Sequence, residues 1–140
     1  MASIKKIIAV VAAAATVSAL GVEAFAIAGH RQIPKNEFHF ELAGRGQYKW
    51  SNMAEKEDNE DYAVVYTTGG YVSSENPVYM SIHKSTSLSS SDRLSGSITV
   101  TSPSDRYEID YTTIRGAGSH NYLYVSSGYN AAEIEGHWLP

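Results

Sequence analysis

The sequence predicts an all-β fold: a small antiparallel β-sandwich or barrel of about eight short strands, preceded by an N-terminal signal helix. Three observations predict it. Several segments alternate apolar and polar residues with a period of two, which is the pattern of a half-buried strand. Turn-forming residues recur about every eight to twelve positions between these segments. After the N-terminal apolar run the chain is rich in Tyr, Ser, Thr and Gly and contains no convincing amphipathic helix.

The first 26 residues have the three parts of a cleavable secretory signal. Lys5 and Lys6 supply the positive segment, residues 7–20 form an apolar run, and Ala24-Phe25-Ala26 is a small-residue cleavage site. The run is shorter than the roughly twenty residues of a membrane-spanning helix, which favours cleavage over a retained anchor. A cut two residues later, after Ala28, is the alternative. Because no cysteine is present to carry a lipid, we expect a protein released to the extracellular space.

The mature chain is predicted to begin with a flexible leader and to continue as one domain. Residues 27–36 contain glycine and proline without periodicity, and residues 37–140 form a single β domain. Its first strand is predicted over residues 37–42, where Phe38, Phe40 and Leu42 alternate with polar residues.

The later strands are predicted from the same alternation and from the turns between them. The further strand candidates are 47–51, 62–68, 71–73, 78–83, 94–100, 106–111, 121–126 and 133–139. Gly69-Gly70 is predicted to be a two-residue hairpin turn. The acidic run 55–61 has no apolar periodicity and is predicted to be a solvated loop. Residues 131–133 have helical propensity, but the stretch is too short to nucleate a helix.

Charge and cysteine content exclude several classes of partner. The chain has 11 Lys+Arg and 15 Asp+Glu; Lys5, Lys6 and Glu23 lie in the signal, so 9 basic and 14 acidic residues remain. A net charge near −5 argues against nucleic acid, which calls for a basic face, and against anionic membranes or polymers. No later segment is apolar enough for stable membrane insertion after cleavage. The cysteine-free domain must fold by packing alone, which fits a Gram-positive host.

No catalytic or metal-binding pattern rises above background. The sequence lacks G-x-S-x-G, and Ser119-His120 is an ordinary turn pair. Glu37-x-His39-x-Glu41 places three potential ligands on one strand face, but that face could meet a metal only if another strand supplied a further group; an exposed polar face is favoured. Residues 55–61 could attract calcium, although the EF-hand glycine and spacing are missing. We predict a non-enzymatic protein with no catalytic residues, no cofactor and no specific metal site.

The aromatic residues are the strongest candidates for a binding surface. All 10 tyrosines lie after the signal, and several fall on strand faces opposite the predicted core. Tyr and Trp offer large contact area at small entropy cost, although cross-strand pairing that stiffens the sheet explains such residues equally well. The candidate binding residues are Tyr48, Trp50, Tyr122, Tyr124, Tyr129 and Trp138.

Three short motifs resemble those of small exported proteins of Gram-positive bacteria of uncharacterised function. The motifs are Phe38-His39-Phe40 near the mature N-terminus, Asn76-Pro77 before a strand, and the closing Gly136-His137-Trp138. The likeness spans most of the mature chain and implies no catalytic residue. More loosely, the chain is similar to the lactococcin-type bacteriocins, which are small, cysteine-free, β-rich and exported. That likeness implies action on the envelope of a neighbouring cell, through binding of a wall precursor.

Together these observations predict a secreted, non-enzymatic extracellular protein that acts as a binding module at the cell envelope. The predicted partner is an envelope or protein ligand. The alternative is a secreted bacteriocin-like antibacterial protein, and a small secreted hydrolase is the third possibility.

Overall fold

The computed structural model describes residues 36–140, so the predicted signal and residues 27–35 of the predicted leader lie outside the described residues. The described part is all-β with two antiparallel sheets, which confirms the all-β, antiparallel part of the predicted fold class. Asn36 already belongs to the domain, since its side chain donates a hydrogen bond to the Trp138 carbonyl (3.1 Å) and its own carbonyl accepts one from the Trp138 N–H (3.0 Å). Within residues 36–140 no helix has the length and apolar character needed to span a bilayer.

Nine strands form the two sheets of the described chain. In chain order they are β1 (Glu37–Leu42), β2 (Tyr48–Trp50), β3 (Ala54–Glu55), β4 (Tyr62–Tyr71), β5 (Val78–His83), β6 (Ile98–Val100), β7 (Arg106–Asp110), β8 (His120–Ser127) and β9 (Ala132–Leu139), with one 3₁₀ turn at Ser90–Asp92. The first sheet has the order β1-β9-β4-β7. The second has the order β2-β8-β5-β6, and β3 also pairs with β8.

The inward faces of the two sheets share one hydrophobic core, which is the layer arrangement of a sandwich. Alternation in β1 buries Phe38 and Phe40, whose rings stack with centroids 5.4 Å apart. The second sheet contributes Met80 and Leu123, both fully buried. Trp138 on the central strand β9 is also fully buried. Full burial of one such apolar side chain stabilises the fold by about 1.5–3 kcal/mol, so a cysteine-free domain can rely on this core.

The hairpin predicted at Gly69-Gly70 is wrong, because β4 continues through both glycines to Tyr71. Gly70 pairs with Ile134 of β9 and has a φ of +123°. A Cβ atom on Gly70 would overlap the Glu133 carbonyl oxygen. The glycine pair therefore marks an irregularity in β4 where the β9 backbone approaches closely, rather than a reversal of the chain.

The acidic run 55–61, predicted to be a solvated loop, contains a fully buried lysine. Lys56 is 0% exposed, and its Nζ donates to Asp58 Oδ1 (2.8 Å) and to the Pro140 carbonyl (3.2 Å). The ammonium also lies 5.1 Å from the centroid of the Tyr111 ring. A buried ammonium is costly unless it is paired. These contacts therefore connect the run to the residue that follows β9, while Glu55 and Glu57 on either side of Lys56 are exposed.

Candidate functional site

The outward faces of the two sheets differ in chemistry. On the first sheet, the outward positions of β1, β7 and β9 carry six carboxylates and one guanidinium, from Glu37, Glu41, Glu108, Asp110, Glu133, Glu135 and Arg106. Among the described residues, the outward positions of the second sheet carry Tyr, Trp, Ser, Thr and His, with a single acidic residue, Glu55 of β3, which lies opposite His120. The first face suits a cation, and the second suits an uncharged ligand.

Strand register brings aromatic residues from three strands together on the second sheet. Trp50 of β2 lies opposite Tyr124 of β8, and Tyr124 lies opposite Ser81 of β5. Tyr48 and His83 occupy the same outward side of β2 and β5, because side chains two apart along a strand share a face. Tyr124 is therefore the centre of a patch that crosses β2, β8 and β5. We call Tyr48, Trp50, His83 and Tyr124 the aromatic face.

The four rings of the aromatic face contact one another continuously. Tyr48 stacks on Tyr124 with centroids 5.5 Å apart, and Trp50 meets Tyr124 edge-on at 5.0 Å. Trp50 also meets His83 edge-on at 4.9 Å, and His83 lies 5.3 Å from Tyr124. Stacked and edge-to-face pairs at these distances add about 0.5–1.5 kcal/mol each beyond burial. The rings are consequently held in place before any ligand arrives.

The four residues of the aromatic face differ in solvent exposure. Tyr48 is 44% exposed, Trp50 and Tyr124 are half-buried, and His83 is only 4% exposed. Cross-strand pairing and an accessible surface are thus combined in the same residues. A ligand would meet ring surfaces whose rotamer freedom is already restricted, which lowers the entropy cost of binding.

His83 of the aromatic face forms a buried pair with Ser81. The Ser81 hydroxyl and His83 Nε2 are 3.0 Å apart, and both residues are buried. Burial, assisted by the charge of Arg93, lowers the pKa of His83. No described carboxylate hydrogen-bonds to His83. The pair therefore lacks both the orienting acid and the access that a serine nucleophile requires.

The Ser119-His120 pair does not form a nucleophile–base contact either. The Ser119 hydroxyl donates to the Gly116 carbonyl at 2.7 Å and so closes a turn. This is the ordinary turn role expected from the sequence.

The six predicted binding residues are distributed over three places in the fold. Tyr48, Trp50 and Tyr124 belong to the aromatic face, and Tyr122 lies beside it on β8, opposite His83. Tyr129 is 78% exposed in the loop between β8 and β9 and makes no ring contact with the described aromatic residues. Trp138 is 0% exposed in the core, so it has no surface to offer a ligand and must be removed from the predicted set.

His83 is the member of the aromatic face that sequence reasoning missed. It alternates with Val78, Met80 and Ile82, so its outward position could be read from period two. Its neighbours on β2 and β8 depend on a pairing that the sequence does not reveal.

Only one group of described residues brings three potential metal ligands together. These are His39 and Glu41 of β1 with Glu133 of β9, whose ligand atoms all lie within 4.8 Å of one another. His39 Nε2 and Glu133 Oε1 are 2.8 Å apart. The acidic run 55–61 contributes no such group within the described chain.

No protein-family model matches the chain, and neither does a curated protein or a solved structure. The function must therefore be argued from the two outward faces themselves.

Proposed function

We propose that this protein is an extracellular, non-enzymatic binding module that engages the cell envelope through the aromatic face. Export rests on the signal predicted at residues 1–26. The observation that carries the binding role is the contiguous four-ring patch, in which Tyr48 is 44% exposed although it stacks on Tyr124. Aromatic residues with a polar tip, clustered and partly desolvated, are the residues that dominate recognition surfaces.

The chemistry of the face selects the class of ligand. The four side chains of the aromatic face are rings that carry no formal charge apart from histidine, and the two tyrosines add hydroxyl groups. Such a surface suits a ligand with flat apolar patches bordered by hydrogen-bonding groups. The sugar rings of an uncharged envelope glycan have this character.

The two tryptophans make binding measurable without a label. Trp138 is fully buried and Trp50 is half-exposed, so acrylamide quenching of the fluorescence reports chiefly on Trp50. Soluble fragments of isolated cell-wall glycan should reduce this quenching, and the insoluble wall fraction should retain the protein in a sedimentation assay.

Matched variants distinguish binding through the aromatic face from nonspecific adsorption to the wall. Tyr48→Ala and Trp50→Ala should each weaken retention by roughly 30-fold, which corresponds to a hot-spot loss of about 2 kcal/mol. Tyr71→Ala is the control, because Tyr71 is 66% exposed but lies on the first sheet. Equal retention of Trp50→Ala and the unsubstituted protein, with circular dichroism unchanged, would remove the aromatic face from the proposal.

A bacteriocin-like antibacterial activity is the second candidate, and the small size, absence of cysteine and β-rich fold of the chain favour it. Purified protein spotted on lawns of Gram-positive strains tests it directly. Zones of clearing that Trp50→Ala abolishes would make the aromatic face the part that engages a wall precursor. Intact lawns together with wall retention would support the binding module and contradict the antibacterial activity.

A further inference from the structure

We propose that His39, Glu41 and Glu133 form a binding site for one divalent transition-metal ion of the Zn²⁺ class on the outward face of the first sheet. The site is independent of the aromatic face, which lies on the other sheet. It joins two strands that are hydrogen-bonded neighbours, β1 and β9.

The antiparallel register of β1 and β9 makes the three side chains converge. Glu41 lies directly opposite Glu133, and His39 lies opposite Glu135, one step along the same face. His39 and Glu133 are thus diagonal cross-strand neighbours, a relation within reach of long side chains. Their ligand atoms and that of Glu41 all lie within 4.8 Å of one another. In a tetrahedral site, ligand atoms bound at about 2.0–2.2 Å from the ion lie about 3.3–3.6 Å apart. The three exposed side chains therefore close the set when they move together by about 1 Å.

The electrostatics of the cluster favour a cation. Two carboxylates directly opposite on neighbouring strands repel each other, and Glu41 forms no hydrogen bond or ion pair with the described residues. His39 contacts Glu133 at 2.8 Å and leaves Glu41 uncompensated. Lys49 lines the same cleft as Glu41 and Glu133 but pairs with neither carboxylate among the described residues. A divalent ion would neutralise both carboxylates at once.

The donor types discriminate between metals. One imidazole nitrogen and two carboxylate oxygens match the ligands of four-coordinate Zn²⁺, with a position left open for water or a further donor. Ca²⁺ takes six to eight oxygen ligands, and Mg²⁺ prefers oxygen-only octahedral sites, so a three-donor set containing histidine suits neither. Both strands are held in the sheet by their backbone ladders, which fixes the positions of all three Cβ atoms.

Glu41 and Glu133 also border a cleft of about 530 Å³. The other walls include Leu42, Gln47 and Tyr71. A bound ion would therefore sit at the rim of a cavity of small-molecule size.

Titration calorimetry of the purified protein with ZnCl₂ tests the proposal. We expect one Zn²⁺ per chain, with CaCl₂ and MgCl₂ giving at least about tenfold weaker binding. His39→Gln and Glu133→Gln should each weaken Zn²⁺ binding by at least about tenfold, since even the loss of an outer partner of a metal ligand costs 10–100-fold. All three side chains lie at the surface, so these variants are expected to remain folded, which circular dichroism checks.

Two matched controls complete the experiment. His120→Gln removes an exposed histidine on the other sheet, and Glu37→Gln removes a carboxylate on the same face of β1. Both should bind Zn²⁺ as the unsubstituted protein does. The proposal is overturned if Zn²⁺ does not bind at one per chain, if His39→Gln binds it equally well, or if Ca²⁺ binds as tightly as Zn²⁺, since the last result describes only a negatively charged surface.

Discussion

Replacement of Lys56 by methionine should lower the free energy of unfolding by about 3 kcal/mol. Methionine keeps a long apolar stem in place of the buried lysine and removes its charge and its hydrogen bonds. Lys56 is fully buried, and its Nζ binds Asp58 Oδ1 at 2.8 Å and the Pro140 carbonyl at 3.2 Å. The substitution therefore isolates the polar part of this contact from its packing.

The magnitude follows from what is left behind. Removing one member of a buried ion pair costs about 3–5 kcal/mol. Asp58 Oδ1 would still accept the hydrogen bond from the Glu60 N–H (3.1 Å). The Asp58 side chain is 30% exposed, so its carboxylate can regain water, and the loss falls at the lower end of that range. A hydrogen bond donated to the Pro140 carbonyl and the contact with the Tyr111 ring are lost as well, while relief of the ammonium's desolvation acts in the opposite direction.

Equilibrium unfolding in urea, followed by tryptophan fluorescence, measures the effect. With an m-value of about 1.5 kcal/mol/M, a loss of about 3 kcal/mol moves the midpoint by about 2 M. Lys49→Met is the matched control, because Lys49 is exposed and such surface changes stay within about 0.5 kcal/mol. If Lys56→Met unfolds within about 1 kcal/mol of the unsubstituted protein, desolvation of the ammonium cancels its contacts and the reasoning is wrong.

Two further predictions concern the sheets. Burial lowers the pKa of both His83 and His137, so the unfolded chain binds protons more readily than the folded one. Stability should therefore fall as the pH drops from about 6.5 toward the lowered pKa values; urea midpoints at pH 7.5, 6.5 and 5.5 check this, and a flat profile contradicts it. Gly136→Ala should destabilise the domain by more than about 3 kcal/mol, because a Cβ there would overlap the Tyr66 carbonyl. Gly96→Ala, with nothing within 4 Å of its added Cβ, should unfold at the unsubstituted midpoint.

Sequence periodicity was sufficient to predict the strands that have one side in the core and the other side in solvent. In β1 the alternation of Phe38, Phe40 and Leu42 with polar residues corresponds to the buried and exposed sides of the strand. The same pattern failed at Gly69-Gly70, since a glycine pair serves equally in a tight turn and where two backbones approach closely. Only the pairing of β4 with β9 distinguishes the two.

Long-range contacts account for the parts of the candidate sites that the sequence did not reveal. Lys56 is buried through a residue 84 positions away, so the acidic run looked fully solvated. Tryptophan is a residue type that is common in binding surfaces, but Trp138 lies buried on a central strand of the first sheet. Sequence reasoning placed Glu37, His39 and Glu41 on one strand face and favoured an exposed polar face without a metal. The register that brings Glu133 beside His39 and Glu41, with Glu37 outside the group, is a property of the folded sheet.

The two outward faces carry unequal charge, so the charge distribution of the domain is asymmetric. Six strand carboxylates lie on the outward face of the first sheet, whereas the second sheet has one, Glu55 of β3, and the two sheets are separated by about 10 Å. This charge separation is a dipole moment across the thickness of the domain. Within a Debye length of about 8 Å from an anionic surface, the local field exerts a torque that turns the carboxylates away and the aromatic rings inward. The domain would thus approach an anionic surface with its aromatic face directed toward that surface, even though the surface repels its net negative charge.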